Sequence, residues 1–193
     1  VATPGDAAAA AEKIGFPVAL KIASPEALHK TELGAVVLHL RDRKSVRGAA
    51  AAMLERLGQL TDPPEISGFL VQQQIEGLEL IAGVRNDPQF GPIVIAGLGG
   101  VYVEAVQDIA FRLLPVTRNE ATGMLDELRS KNLFAEFRGR PARDRDAVAE
   151  AIVTLSEIYL SYRELLDDLE INPLMVLEEG QGVRAVDVRT VWK

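Results

Sequence analysis

Leu169-Glu170-Ile171-Asn172-Pro173-Leu174-Met175-Val176-Leu177 and Val183-Arg184-Ala185-Val186-Asp187-Val188 are two apolar runs separated by Glu178-Glu179-Gly180-Gln181-Gly182. The separating residues carry turn chemistry, so the chain folds back about Glu179 and Gly180 into a β-hairpin. Positions equidistant from that turn oppose one another, which sets Asn172 against Asp187. Directly opposed residues share a sheet face, with Cβ atoms roughly 4.5–5.5 Å apart. Two oxygen side chains then converge among aliphatic neighbours, where an isolated carboxylate is costly to bury. A hard cation such as Mg²⁺ offsets that cost, and it favours a few protein oxygens together with substrate phosphates. The same pattern also fits an exposed hairpin face with two ordinary polar residues.

The chain of 193 residues is long enough for one or two domains with a sizeable core. Hydrophobic content of 48% with only 5% aromatics favours a Val/Ile/Leu/Ala-packed α/β protein over an aromatic-rich binding surface. A net charge of −7 shows no basic excess, so neither nucleic acid nor a membrane is expected as a partner. An anionic ligand can still be held by a few local charges and backbone N–H groups. There is no cysteine, which excludes disulfides, thiolate metal sites and cysteine nucleophiles. A cytoplasmic protein needs no disulfides, and that is the expected compartment. No apolar run reaches the ~18 residues of a transmembrane helix. Val1-Ala2-Thr3-Pro4-Gly5-Asp6 lacks the regions of a signal peptide and has no initiator Met, which leads to the expectation of a fragment of a longer polypeptide.

Local signals divide the rest. Thr3-Pro4-Gly5-Asp6 is an N-cap, a first-turn Pro and a first-turn acid, opening a helix to Ile14 that Gly15 stops. Strands are predicted at Phe16–Ala23 and Ala35–Leu40, then an amphipathic helix over Ser45–Leu60. Three further strands are predicted at Phe69–Gln74, Glu79–Val84 and Ile93–Gly97, and a fourth at Asp108–Leu114. Thr117 and Glu120 form a capping box before one helix, and Asp144 opens a longer one. The strand-rich middle argues for an α+β or mixed-sheet domain rather than a βαβ repeat.

Few residues invite chemistry. Lys21 is a cation in mid-strand, suited either to snorkelling from a half-exposed face or to a phosphate in a cleft. Gly97, Gly99 and Gly100 follow a strand and would let the backbone approach a phosphate closely, or serve a turn needing positive φ. Their spacing fits neither a P-loop nor a dinucleotide fingerprint. His29 lies in a Ser/Pro-bounded loop, where a histidine is either simply solvated or, beside Lys30 and Lys21, able to receive an anion. His39 lies in a strand and reads as structural.

Six motifs carry a resemblance. They are Phe16-Pro17-Val18-Ala19-Leu20-Lys21-Ile22; Ser24-Pro25 with His29-Lys30-Thr31; Asp87-Pro88-Gln89-Phe90-Gly91-Pro92; Gly97-Leu98-Gly99-Gly100 with Glu104; Asp108-Ile109-Ala110-Phe111-Arg112; and Glu170-Ile171-Asn172-Pro173-Leu174 with Ala185-Val186-Asp187. In order and spacing they resemble the ATP-grasp domain of NDP-forming acyl-CoA synthetases, in particular the beta part of ADP-forming acetyl-CoA synthetase and, more distantly, the succinyl-CoA synthetase beta subunit. The resemblance runs from Val1 to the C-terminus. It implies one ATP-grasp domain over 1–193, an α+β fold of two lobes around a nucleotide cleft, with a smaller lobe over about 1–68 and a larger one over about 69–193.

The resemblance also implies roles. ATP/ADP and Mg²⁺ are the expected cofactors, with Lys21 on the nucleotide phosphates, Glu79 in the nucleotide cleft, and Gln72, Gln73 and Gln74 as the hinge bordering the adenine. Asn172 and Asp187 would bind Mg²⁺. His29 matches a histidine that takes phosphate from the CoA-ligase part and delivers it to ADP, which splits a long-range transfer into two covalent steps. The implied reaction is acyl-CoA + ADP + phosphate ⇌ carboxylate + CoA + ATP. A CoA-binding/ligase domain, in the same chain or a separate subunit, is the expected partner and would supply acyl-CoA and phosphate. The alternative is a regulatory ATP-grasp module of a synthetase-like protein acetyltransferase, which would have no need of His29. Three positions depart from the family pattern: Ala35 after Gly34 where a Gly pair is usual, Glu136 where a glycine is common, and Glu170 for a frequent Asp.

Overall fold

The computed structural model describes residues 1–24, 34–100 and 106–193. The chain divides into two compact units, Val1–Gln74 and Ile75–Lys193. In the first, α1 (Pro4–Ile14) starts at Thr3, whose hydroxyl accepts the Asp6 N–H at 3.1 Å, and ends at Gly15 with φ 93°. β1 (Val18–Ala23) is the centre of a three-stranded antiparallel sheet, between β2 (Val36–Leu40) and β3 (Gly68–Gln73). α2 (Arg43–Gly58) begins two residues before the predicted start. Ser45 does not open this helix; it closes a reciprocal capping box with Asp42, at 2.7 and 3.2 Å.

The strand pattern decides the packing. Val18, Leu20 and Ile22 of β1 enter a core with Ala11 of α1 and Val46, Met53 and Leu57 of α2. Each large aliphatic side chain buried there stabilises the unit by about 1.5–3 kcal/mol. β3 pairs with β1 over six rungs, from Val18↔Gln73 to Ala23↔Gly68, and lies in the first unit. Ala35 is fully buried and its carbonyl accepts the Ile22 N–H at 2.8 Å, so the methyl that departs from the family pattern fills core space.

The second unit is an antiparallel sheet in the order β6-β5-β4-β7-β8, with β9 also on β7. Its strands are β4 (Leu78–Asp87), β5 (Gly91–Leu98), β6 (Ile109–Leu113), β7 (Leu166–Val176), β8 (Val183–Ala185) and β9 (Val188–Trp192). Leu80, Val84, Val94 and Ala96 point to one face and pack against α3 (Arg118–Glu127) and α4 (Arg145–Tyr162), through Met124, Leu125, Val148 and Ile152. By the two-residue period of a strand, Glu79, Ile81, Gly83 and Arg85 face the other way. The capping box of Thr117 and Glu120 and the Asp144 cap stand where the sequence predicts them. The Asp144 carboxylate accepts the Ala147 N–H at 3.1 Å and the Gly182 N–H at 2.8 Å, which ties the β7–β8 turn to the start of α4. Among the described residues no helix is long and apolar enough to cross a membrane.

A 3₁₀ helix over Arg129–Phe134 has no counterpart in the predicted elements. Asp108, 5% exposed, makes it possible. Its two oxygens accept the N–H groups of Arg129 at 2.9 Å and Ser130 at 2.7 Å. Burial pushes the Asp108 carboxyl pKa up, but the Ser130 hydroxyl and the N–H groups of Arg129 and Ser130 outweigh that and hold it below the ordinary carboxylate range. A depressed carboxylate stabilises the fold fully above its unfolded pKa of about 3.9, and the contribution is lost as pH falls through the folded value. Asp108→Asn is therefore expected to destabilise by about 1.5–3 kcal/mol at pH 7, the range for hydrogen bonds to a charged group. Denaturant melts should show that difference constant from about pH 7 to 5 and shrinking below about pH 4.

Candidate functional site

The hairpin register sets the site. Leu174↔Ala185 on β8 and Ile171↔Val188 on β9 keep one register along β7, which leaves Asn172 opposite Asp187, as the turn predicts. The Asn172 N–H donates to the Asp187 carbonyl at 3.0 Å, and the Val186 N–H donates to the Pro173 carbonyl at 3.2 Å. Pro173 has no N–H to give, so regular pairing stops here and β8 and β9 are separate strands. On the other side of β7, pairing with β4 shifts between Leu80↔Leu174 and Ala82↔Ile171. Asn172 and Pro173 together face the single residue Ile81 at that bulge, a device that re-aims side chains. Asn172 is half-buried and Asp187 exposed.

Asn172 does not stand alone. Its Oδ1 accepts the Gly100 N–H at 3.1 Å. A Cβ added to Gly100, which has φ 66°, would lie 1.7 Å from Glu79 Oε2. Gly99 N–H donates to the Glu79 carbonyl at 2.9 Å. The segment after β5 thus lies against β4, and its last described glycine touches Glu79 and Asn172 at once. The sequence offered the glycines either as a backbone approach to a phosphate or as a turn needing positive φ. In the structure Gly100 has φ 66°, while Gly97 packs against Asp108 and Ile109, and Gly99 against Leu80 and Ile81. Gly100 is the residue that sequence reasoning left without a partner; its contact to Asn172 spans 72 positions and has no local signal.

In the first unit, Lys21 is 7% exposed, which rules out a side chain simply snorkelling into solvent. It sits between Val36 of β2 and Leu70 of β3, on the sheet face opposite the helical core. Two rungs along, Gln72 opposes Ala19 and shares that face. Gln72 Oε1 is buried with no hydrogen-bond partner. Gln73 opposes Val18 on the core side of the strand, where it is exposed. Gln74 is committed to the fold. Its N–H donates to the Pro17 carbonyl at 3.0 Å, and its Oε1 accepts the His39 N–H at 3.2 Å. His39 has φ 57° where β2 departs from regular register, so its role is local backbone geometry.

His29, Lys30, Thr31 and Glu104 lie outside the described residues. Glu136 is exposed and precedes a tight turn in which Phe137 and Arg140 exchange hydrogen bonds of 3.1 and 3.0 Å. Glu170 is partnered by Arg189 at 3.8 Å, and Asp168 by the same guanidinium at 3.3 Å. Among the described residues no three His, Cys, Asp or Glu side chains gather into a metal cluster. The oxygen side chains of the 172/187 rung and its neighbour are two carboxylates, Glu79 and Asp187, and one carboxamide, Asn172.

The chain is similar to known proteins over nearly its whole length. The ATP-grasp domain model matches residues 1–191. The ADP-forming 4-hydroxybutyrate–CoA ligase of Nitrosopumilus maritimus is 37% identical over 185 residues, covering 95% of this chain and 26% of that ligase. The chain thus spans about a quarter of that relative's length. The beta subunit of ADP-forming acetate–CoA ligase II of Pyrococcus furiosus is 32% identical over 184 residues, 95% of this chain and 78% of the subunit. Among solved structures, the dinucleotide-forming acetyl-coenzyme A synthetase 1 of Ca. Korarchaeum cryptofilum, in complex with coenzyme A, Ca-AMPCP and HgCl+, superposes with a TM-score of 0.89 at 35% identity, covering 100% of this chain and 83% of that one. The same synthetase with coenzyme A and Mg-AMPPCP, its phosphohistidine segment pointing towards the nucleotide binding site, gives 0.79 at 34% identity over 97% and 82%.

Proposed function

The chain belongs to the ATP-grasp domain family, and on that premise we propose that it is the nucleotide-binding, phosphate-carrying part of a cytoplasmic ADP-forming acyl-CoA ligase. The reaction is acyl-CoA + ADP + phosphate ⇌ carboxylate + CoA + ATP. A CoA-binding/ligase part, fused or separate, supplies acyl-CoA and phosphate. The relatives named above are ligases, which favours this reading over a regulatory module.

One observation carries the reading most directly: Gly100 brings the Glu79 carboxylate and the Asn172 carboxamide together, and Asn172 is the residue that opposes Asp187. A small set of hard oxygens suits Mg²⁺, which keeps several water or phosphate ligands and uses few from protein. Asn172 and Asp187 would hold it, and Glu79 would serve the nucleotide beside them. When bound, the ion supplies charge stabilisation to the transferring phosphoryl group. Lys21 supplies a fixed positive charge for the phosphates. Gln72, Gln73 and Gln74 form the adenine border, with Gln72 as the reading residue. A buried acceptor without a donor costs about 1–3 kcal/mol, and the exocyclic amine of adenine is a donor. His29 carries the phosphoryl group: its N–P bond breaks as a terminal ADP oxygen forms the new P–O bond of ATP.

Asn172→Ala and Asp187→Asn are expected to weaken Mg·ADP binding about 10-fold or more with the fold intact. Titration calorimetry checks this, and unchanged affinity in both variants removes the metal assignment. Lys21→Met preserves side-chain volume and is expected to lower affinity for ADP and ATP while sparing AMP, again by calorimetry. Equal loss for AMP would place the ammonium away from the β- and γ-phosphates.

The role of His29 is tested in the full-length protein incubated with acyl-CoA and phosphate. It should acquire an acid-labile, base-stable phosphate that ADP removes as ATP. His29→Asn should abolish the label and His39→Asn should leave it. No label, in a protein shown to bind nucleotide, would transfer the assignment to a regulatory module.

A further inference from the structure

We propose that Glu79 is the third oxygen side chain of the cation site formed by Asn172 and Asp187, and that Gly100 is the positioning residue that seats it there. The inference rests on the metal reading above and goes beyond it, because it moves Glu79 from the nucleotide to the ion.

Three features of the second unit lead to it. First, sheet parity puts the three residues on one face. Leu80, Ala82 and Val84 enter the helical core, so Glu79 leaves from the opposite face of β4. Leu169, Ile171, Leu174 and Val176 of β7 also join the core. Asn172 lies between them at the bulge and turns its oxygen to Gly100. Second, the Gly99–Gly100 backbone is clamped on β4 by the Gly99 N–H bond to the Glu79 carbonyl. A Cβ on Gly99 would lie 2.3 Å from the Leu80 carbonyl carbon, so the segment has no slack. Third, the Glu79 carboxylate occupies the space a side chain at 100 would take, 1.7 Å from the Cβ position, while the Gly100 N–H holds Asn172.

The chemistry follows. The Gly100 N–H uses one lone pair of Asn172 Oδ1 and leaves the other free for a cation. That hydrogen bond fixes which way the carboxamide oxygen points, as an outer hydrogen bond orients a metal ligand. Glu79 adds a second carboxylate to that of Asp187, and hard anionic oxygens are the donors Mg²⁺ prefers beside phosphate. A carboxylate reserved for the ribose or base would act equally with and without the ion.

Calorimetric titration of the full chain with ADP, with Mg²⁺ or with EDTA, separates these roles. Glu79→Gln keeps the shape and removes the charge. It should weaken Mg·ADP about 10- to 100-fold and metal-free ADP less than about twofold. Gly100→Ala should show the same ion-dependent loss. Gly139→Ala is its matched control: φ is 76° there, against 66° at Gly100, but nothing lies within 4 Å of its Cβ position. Both alanines carry the left-handed backbone penalty, and only Gly100→Ala displaces Glu79. Gly139→Ala should therefore lose stability and keep Mg·ADP affinity. Were Gly100→Ala not to fold, Glu79→Gln alone decides. Direct binding of Mn²⁺, read by its electron spin resonance in the presence of ADP, should fall in parallel.

Equal loss of ADP with and without Mg²⁺ in Glu79→Gln, or no loss, overturns the proposal. Should Asn172→Ala and Asp187→Asn weaken Mg·ADP while Glu79→Gln does not, only this inference fails. Should those two variants leave Mg·ADP unchanged, the metal reading itself fails and takes this one with it.

Discussion

The close approach of the Gly97–Gly100 backbone to its neighbouring strands is the constraint on which the candidate site depends. Gly97 would put a Cβ 2.3 Å from the Asp108 carbonyl oxygen, and Gly99 the same distance from the Leu80 carbonyl carbon. These are backbone atoms held in ladders, and they have no room to yield. Two glycines therefore allow β5 to be held tightly between β6 and β4. The third, Gly100, meets the end of a side chain instead, the Glu79 carboxylate. Because the first two fix the backbone, the third can present its N–H to Asn172, on a strand beyond β4. Packing at Gly97 and Gly99 is thus converted into side-chain placement at Glu79 and Asn172.

The rest of that sheet face shows why the 172/187 rung differs from its neighbours. Asp168 and Glu170 also project from β7, and Arg189 of β9 reaches both, at 3.3 and 3.8 Å. Partly exposed ion pairs of this kind contribute roughly 0–1 kcal/mol. They settle the charge on β7 locally and leave little for a ligand. At 172 the strand carries a carboxamide instead, bulged out of register with β4 and held by a backbone donor. The turn beyond it is anchored as well, since Asp144 binds Gly182 while capping α4. The hairpin is therefore fixed at both ends of its working rung.

Where a rule is local, the sequence shows the structure. Thr3, Thr117 and Asp144 cap helices because their side chains meet N–H groups three residues on. The 172/187 register follows from distance to the Gly180 turn alone. Where the deciding partner is remote, the sequence is silent. The 3₁₀ helix at Arg129 needs Asp108, 21 residues earlier. β3 joins the first unit because β1 accepts it over six rungs, which no property of residues 68–73 announces. The glycines read equally as phosphate cradle or positive-φ turn, and their close packing is visible only once the atoms opposite each one are known. His29, the residue with the most specific chemistry, lies outside the described residues, so its role stands on sequence resemblance.

The run Gln72-Gln73-Gln74 shows how far this reaches. Three identical side chains stand in succession, and composition cannot tell them apart. Strand parity and the end of the ladder do. Gln72 falls on the Lys21 face and keeps a buried, unpartnered oxygen. Gln73 falls on the other face and is exposed. Gln74 lies just past the last rung, where its oxygen accepts the N–H of His39. A buried acceptor without a donor costs about 1–3 kcal/mol, and of the three glutamines only Gln72 carries that cost. Position along the strand, not residue type, thus sets three identical side chains apart.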